Sequence, residues 1–236
     1  MHRVKVKLDR YGRKELIGHI QGPVFTGAIF FLFAGRIDLC RAWIWALLNM
    51  IYYLAGLLVI LKVNPQLLNE RGGWNRKKDA KSWDKILLIV FGTIGLYGHT
   101  ILMSLDVGRF GWSGLSPWFI LPGIILFTGS FNLVYWSMAV NTHFETTVRI
   151  QHDRNHKVVS RGPYQIVRHP GYLGLSLANF ASAMIVGSLY GFITATATLV
   201  ILVIRTYLED RTLVAELDGY RDYASKTRYR LIPFVW

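Results

Sequence analysis

Two short stretches of this sequence carry residue types that do chemistry. The first is Arg161-Gly162-Pro163-Tyr164-Gln165-Ile166-Val167-Arg168-His169-Pro170-Gly171-Tyr172. Gly162-Pro163 and Pro170-Gly171 each punctuate the backbone, so Tyr164, Arg168 and His169 are expected on a rigid, non-helical platform, with Pro170 and Gly171 near a helix start. Backbone N–H groups at such a start are free to bind an anion such as a carboxylate. Tyr164 and Tyr172 are suited to stacking on a nucleobase or facing a sulfonium cation. The plainer reading is an interfacial anchor, because aromatics and arginine are common at a membrane boundary and a His before Pro suits a turn.

The second stretch is Arg205-Thr206-Tyr207-Leu208-Glu209-Asp210-Arg211. Arg205 and Glu209 are four apart and share one helix face. Both follow an apolar run, where an ionisable side chain is costly without a partner or a polar cavity, so function is the default reading. A snorkelling Arg paired with Glu on its own helix would contribute only roughly a few tenths of a kcal/mol, and Arg before Glu is the weaker order. Other candidates carry less. His152 and His156 share a face if their segment is helical, but no third ligand is spaced with them, and no metal is expected. His99 and Asn49 fall inside apolar runs, where interhelical hydrogen bonding is the common role. Cys40 is the single cysteine, which excludes an intrachain disulfide. No phosphate loop, nucleophile elbow or dinucleotide fingerprint is present.

The elements that must position these residues are membrane helices. Of the 236 residues 52% are hydrophobic, and the mean hydropathy is +0.30, more apolar surface than a soluble domain of this size buries. The formal charge of +13 sits in short segments between apolar runs, the pattern of topology signals facing anionic headgroups and not of a nucleic-acid surface. The apolar runs predict an all-α polytopic integral membrane protein with about six spans, near 17–35, 42–61, 86–105, 117–140, 172–187 and 190–207. The basic N-terminus, 1–16, resembles the start of a signal peptide, but no small-residue cleavage site follows, so the first run is read as a retained span. Of the 27 Lys and Arg, all but Arg36, Arg41 and Arg109 fall on one side, which places both termini in the cytoplasm. The loop at 62–85, with Pro65, Gly72, Gly73 and a run of charge, reads as a solvated connector. Only Gly187 to Tyr190 separate the last two runs, so 171–207 should form a helical hairpin that brings the two chemical stretches side by side at one membrane depth. No internal repeat of the kind found in transporters is visible.

Gly162-Pro163-Tyr164, Val167-Arg168-His169-Pro170-Gly171-Tyr172-Leu173-Gly174, Arg205, Glu209-Asp210 and the ending Tyr229-Arg230-Leu231-Ile232-Pro233 resemble the isoprenylcysteine carboxyl methyltransferase family, which is related to membrane phospholipid N-methyltransferases. The resemblance covers roughly 130–236 and implies a catalytic region over 141–236, following the N-terminal spans of 17–140. It implies S-adenosylmethionine as cofactor, leaving as S-adenosylhomocysteine, bound from the cytosol, and a lipophilic or lipidated acceptor entering from the bilayer. Tyr164, Val167, Arg168, His169, Pro170, Tyr172 and Gly174 fall on the cofactor motif. Glu209 falls on the first glutamate, and Arg205 on the arginine one turn earlier. Asp210 departs from the second glutamate, keeping the charge with a shorter reach. In this scheme Arg205 orients either the acceptor's or the cofactor's carboxylate, Glu209 holds the cofactor's ammonium, and the aromatics face the sulfonium. Membrane sterol and steroid reductases, which use NADPH, resemble the sequence in a similar element, and a non-enzymatic membrane scaffold is the third reading.

Overall fold

A computed structural model describes residues 7–236. Arg3 and Lys5, two of the N-terminal charges, lie outside the described residues. Helix α1 (Arg10–Ala34) starts at Asp9, whose Oδ1 accepts from Tyr11 N and Gly12 N at 2.8 Å, and stops at Gly35, whose left-handed φ of 68° lets its N–H reach Phe31 O. Then follow α2 (Cys40–Val63), α3 (Gln66–Gly72), α4 (Ser82–Phe110), α5 (Pro117–Val140), α6 (Pro170–Val186), α7 (Tyr190–Glu216) and α8 (Tyr220–Lys226). The described residues form no strand, only one parallel bridge between Val167 and Tyr229. Among the described residues five helices, α1, α2, α4, α5 and α7, are long and apolar enough to cross a membrane, and the 17-residue α6 is shorter. Their outward residues include Leu32, Leu58, Ile86, Leu121, Ile125 and Ile193, all well exposed, which is the surface of an integral membrane protein.

Packing follows from small residues. The inner face of α6 is Gly171, Gly174, Ala178, Ala181 and Ser182, which lets α5 and α6 make the most extensive helix contact in the molecule. A side chain at Gly174 would sit 2.7 Å from both Ser130 O and Val134 Cγ2 of α5. Polar groups tie each end of the bundle. At one end the Arg41 guanidinium donates to Leu115, Met184 and Ile185 carbonyls, and buried Asp106 accepts from Ser188 Oγ and from Ser113. At the other end Arg71 reaches Glu15 (3.1 Å) and Phe144 O (3.4 Å), Lys81 pairs with Glu216, and α6 begins where α7 finishes.

Two expectations change. The segment 62–85 is a solvated connector only in part: 74–76 and 78–79 are exposed, but it also holds α3, with Leu67 and Leu68 fully buried and Gly72 pressed on the Tyr11 carbonyl of α1. The adjacent leucines sit among enough charge to mask them in a count, but one turn of helix puts them on the bundle. The span near 86–105 is also longer than its apolar run and irregular, because α4 widens to π-helix at Phe91–Gly98 and Leu105–Phe110.

Candidate active site

The end of the bundle where α6 starts and α7 finishes encloses a cleft of about 800 Å³, counting its open mouth. Its wall is built from three parts: the stretch 141–159 after α5, the turn and helix start at Tyr164, Arg168, His169, Gly171 and Tyr172, and the face of α7 and α8 presenting Glu209, Leu213, Leu217, Tyr220 and Tyr223. Five of the residues singled out in sequence, Tyr164, Arg168, His169, Tyr172 and Glu209, therefore line one space. The Tyr172 hydroxyl donates to Glu209 Oε2 at 2.6 Å, joining the two chemical stretches directly. The His169 ring stacks on Tyr172, with centroids 5.7 Å apart.

The others serve the wall from behind. Val167 is buried and makes the bridge to Tyr229, Pro170 is the first residue of α6, and Gly174 is the close-packing site against α5. Tyr164 lies in a single 3-10 turn, Gly162–Gln165, so the expected non-helical platform is partly helical. Of the N–H groups around that start, four are taken: Arg168 N donates to Tyr229 O, His169 N to Arg230 O, and Tyr172 N and Leu173 N to His169 O. The chain after α8 folds back and supplies the first two acceptors, a partner that hydropathy does not reveal.

Arg205 is not in the cleft wall either. Its guanidinium is buried behind Tyr172, 4.9 Å from the ring centroid, with Nε donating to Asp84 Oδ1 at 2.7 Å and Nη2 to Thr146 O at 2.6 Å. Asp84 is 0% exposed, and its other oxygen accepts from Val148 N at 2.8 Å. The charge that Arg205 needs thus comes from the start of α4 and not from Glu209, its neighbour on the same face. Asp210 also stands behind the wall, and its shorter reach suits it to a different task. It accepts from Arg230 Nε (2.9 Å) and the Tyr220 hydroxyl (3.0 Å) and lies 3.1 Å from Arg168 Nη1. The His169 Nε2 is 3.5 Å away, longer than a full hydrogen bond.

Sequence reasoning missed the lid. Residues 141–159 carry Glu145, whose side chain is 2% exposed and receives a two-pronged Arg149 (2.9 Å on each oxygen), and Gln151, which links His143 and His156. The two imidazoles lie 4.4 Å apart. His152 and His156 do not share a helix face, because Asn155 adopts a left-handed φ of 49° and ends the one-turn helix. A polar stretch with no periodicity carries no element signal, although a carboxylate and an arginine four apart at Glu145 and Arg149 are visible in sequence. Burial pushes the Tyr223 phenol up to about 12 and Tyr164 further, so both remain protonated donors or acceptors. Tyr223 donates to Tyr164 O at 2.7 Å, and the Tyr164 hydroxyl accepts from Asn141 at 3.1 Å.

Among the described residues, Thr147 Oγ1, Arg168 Nε and His169 Nε2 of the wall are buried without a full hydrogen bond, the last lying 3.5 Å from Asp210 Oδ1. Beside them stand carboxylate and aromatic faces for a cation and Arg168 and Lys157 for an anion. This donor set fits a zwitterionic, aromatic-bearing ligand such as an adenosyl amino acid.

Residues 118–217 match the phospholipid methyltransferase family model, so the kinship with membrane methyltransferases read from the motifs holds on this part of the chain. A solved structure of a eukaryotic intramembrane Ras methyltransferase, isoprenylcysteine carboxyl methyltransferase, is similar at 15% identity with a TM-score of 0.48, covering 97% of this chain and 99% of that chain. No curated protein sequence matches.

Removing one partner of the Asp84 and Arg205 pair leaves an uncompensated buried charge. Asp84→Asn is expected to destabilise the protein by about 3–5 kcal/mol, and adding Arg205→Met to recover most of that loss, measured by thermal unfolding in detergent. Equal destabilisation by single and double variants would show that the pair does not organise this end.

Burial holds the His156 imidazole down at about 4, against 6.5 unfolded. Unfolded chains therefore bind a proton at His156 below 6.5 that the folded lid refuses until about 4, so stability is lost as pH falls through that window. His156→Gln should flatten the dependence of the melting temperature on pH between those values, and an unchanged slope would place the dependence elsewhere.

Proposed function

We propose that this chain is a membrane methyltransferase that takes S-adenosylmethionine in the cleft and methylates a lipophilic acceptor arriving from the bilayer. The observation that carries this reading is a coincidence of position. The family match over 118–217 takes in the lid, Tyr164, Arg168, His169, Tyr172, Glu209 and Leu213, which together make most of the cleft wall. Resemblance to the isoprenylcysteine enzymes favours a carboxylate acceptor, and the excess of Lys and Arg at this end favours a cytoplasmic cleft.

When bound, S-adenosylmethionine supplies a methyl group on a sulfonium, ready for in-line displacement by an acceptor about 3–3.5 Å away. A carboxylate acceptor is already a nucleophile, so the protein's work is positioning and desolvation. Glu209, held by Tyr172, offers Oε1 to the ammonium, and Arg168 Nε meets the carboxylate. Tyr164 and Tyr172 present aromatic faces to positive charge. Arg205 is a positioning residue: locked to Asp84, it backs the Tyr172 ring and keeps its hydroxyl on Glu209. The lid excludes water while the acceptor's chain stays in lipid.

Purified protein titrated with S-adenosylhomocysteine should gain thermal stability by mass action, and Glu209→Gln should weaken that binding about ten- to a hundredfold, the loss of one charge-assisted hydrogen bond, without unfolding the chain. Radiolabelled methyl groups should pass to prenylcysteine, phospholipid or fatty-acid acceptors in membrane extracts. Stabilisation by NADPH alone would make the protein a reductase, and cofactor indifference with intact folding would make it a scaffold.

A further inference from the structure

At the cleft end of the bundle, outside the cleft itself, two arginines share one tyrosine. The Arg10 guanidinium carbon stands 4.6 Å from the Tyr11 ring centroid and that of Arg76 3.7 Å, and Arg10 also donates to the Tyr11 hydroxyl. Arg76 is brought there by the packing of α3: Gly72 is pressed on the Tyr11 carbonyl and Asp9 N donates to Asn69 Oδ1 at 3.1 Å, so the turn at 74–76 rides on the start of α1. The two guanidiniums are therefore within about 8 Å of each other, roughly one Debye length at physiological salt, and repel. Among the described residues the carboxylate beside them is Asp9, whose Oδ2 is 4.0 Å from Arg76 Nη2 and whose Oδ1 caps α1. The sequence before it, 1–6, adds Arg3 and Lys5 and no acid. Lys7, Arg13, Lys14 and Lys78 are exposed close by in the chain, and none makes an ion pair within 4 Å among the described residues.

The depth of this cluster is set by α1. Its exposed residues change from Arg10, Arg13 and Lys14 to Ile17, Ile20, Val24 and Phe25 within two helical turns, so the cations lie in the headgroup layer and the acyl layer begins directly beneath them. A phosphate at that depth takes a charge-assisted hydrogen bond of about 2.8 Å from each guanidinium and relieves their repulsion. The surrounding cations select its substituent. A choline headgroup would bring a further positive charge against Lys7, Arg13, Lys14 and Lys78, whereas a headgroup with net negative charge would not. The cluster also adjoins the segment that clamps the lid. Directly after Arg76, Lys77 Nζ lies 2.6 Å from Glu70 and 3.6 Å from Glu145, and Asp79 is 2.8 Å from Arg149.

We propose that Arg10, Tyr11 and Arg76 form a binding site for the headgroup of an anionic phospholipid, its acyl chains lying along the Ile17 face of α1, and that its occupancy steadies the 74–79 segment beneath the lid. The proposal needs no assumption about the reaction in the cleft. It is tested with the full chain by native mass spectrometry, counting retained dioleoylphosphatidylglycerol against dioleoylphosphatidylcholine. The glycerol lipid is expected to bind about tenfold tighter, and Arg10→Gln with Arg76→Gln to weaken it about ten- to thirtyfold. Arg221→Gln with Lys226→Gln removes the same charge from exposed cations of α8 and should change it by no more than about twofold. Amide exchange of the unaltered protein should be slower over 74–80 in nanodiscs of the glycerol lipid than in nanodiscs of the choline lipid. Equal losses in the two double variants, the result for diffuse attraction, would overturn the site, as would no preference between the lipids or displacement by millimolar glycerol phosphate. Equal exchange over 74–80 in the two nanodiscs would overturn the steadying of that segment. Should the Arg10 and Arg76 variant fail to fold, the lipid series and the exchange on the unaltered protein decide.

Discussion

A guanidinium at the end of an apolar helix has to be neutralised, and here the neutralising carboxylate comes from 121 residues away. Arg205 on α7 and Asp84 at the start of α4 are both buried, and their contact at 2.7 Å joins the two halves of the chain. Separating them exposes each to the desolvation cost of a lone charge in a poorly polarisable medium, so the pair holds α4 and α7 in one register. The same two residues reach further: Arg205 to Thr146 O and Asp84 to Val148 N pin the lid to the bundle, and the guanidinium backs Tyr172. The cleft is thus a consequence of solving one electrostatic problem.

A second carboxylate repeats the device at the outer rim. Asp210 collects Arg168, Arg230 and Tyr220, so the chain after α8 is drawn over the start of α6 and takes up the amides of Arg168 and His169. What remains for a ligand is chiefly side chains of the wall, above all Glu209 and Arg168 Nε, which has no hydrogen-bond partner among the described residues. Asp84 and Asp210 behind the wall and Glu209 on it divide the work: two carboxylates build, and one stays available.

Much of this was legible in sequence for definite reasons. Apolar runs of the length of a bilayer mark helices whatever their packing, and Tyr164, Arg168, His169, Tyr172 and Glu209 meet because α6 and α7 are joined by only three residues. The partner of Arg205 was not legible. The sequence points to Glu209 by spacing, whereas the choice of Asp84 depends on which helix packs against α7. Leu67 and Leu68 were hidden by the charges around them, and the lid by its lack of any period. Val167, Pro170 and Gly174 belong to the motif for backbone reasons, a bridge, a helix start and a close approach, which residue type alone does not separate from ligand contact. The π-helical turns of α4 leave no trace in hydropathy, because they shift hydrogen bonds without changing which residues are apolar.

The central claim is that lid, helix start and α7 form one adenosyl-binding cleft. Amide hydrogen exchange of the purified protein with and without S-adenosylhomocysteine tests it most directly. The account predicts slowed exchange in 143–159 and in 164–172 together, with little change at the Arg41 and Asp106 end of the bundle. Unchanged exchange in both segments at saturating ligand, or slowing confined to the far end, would contradict it.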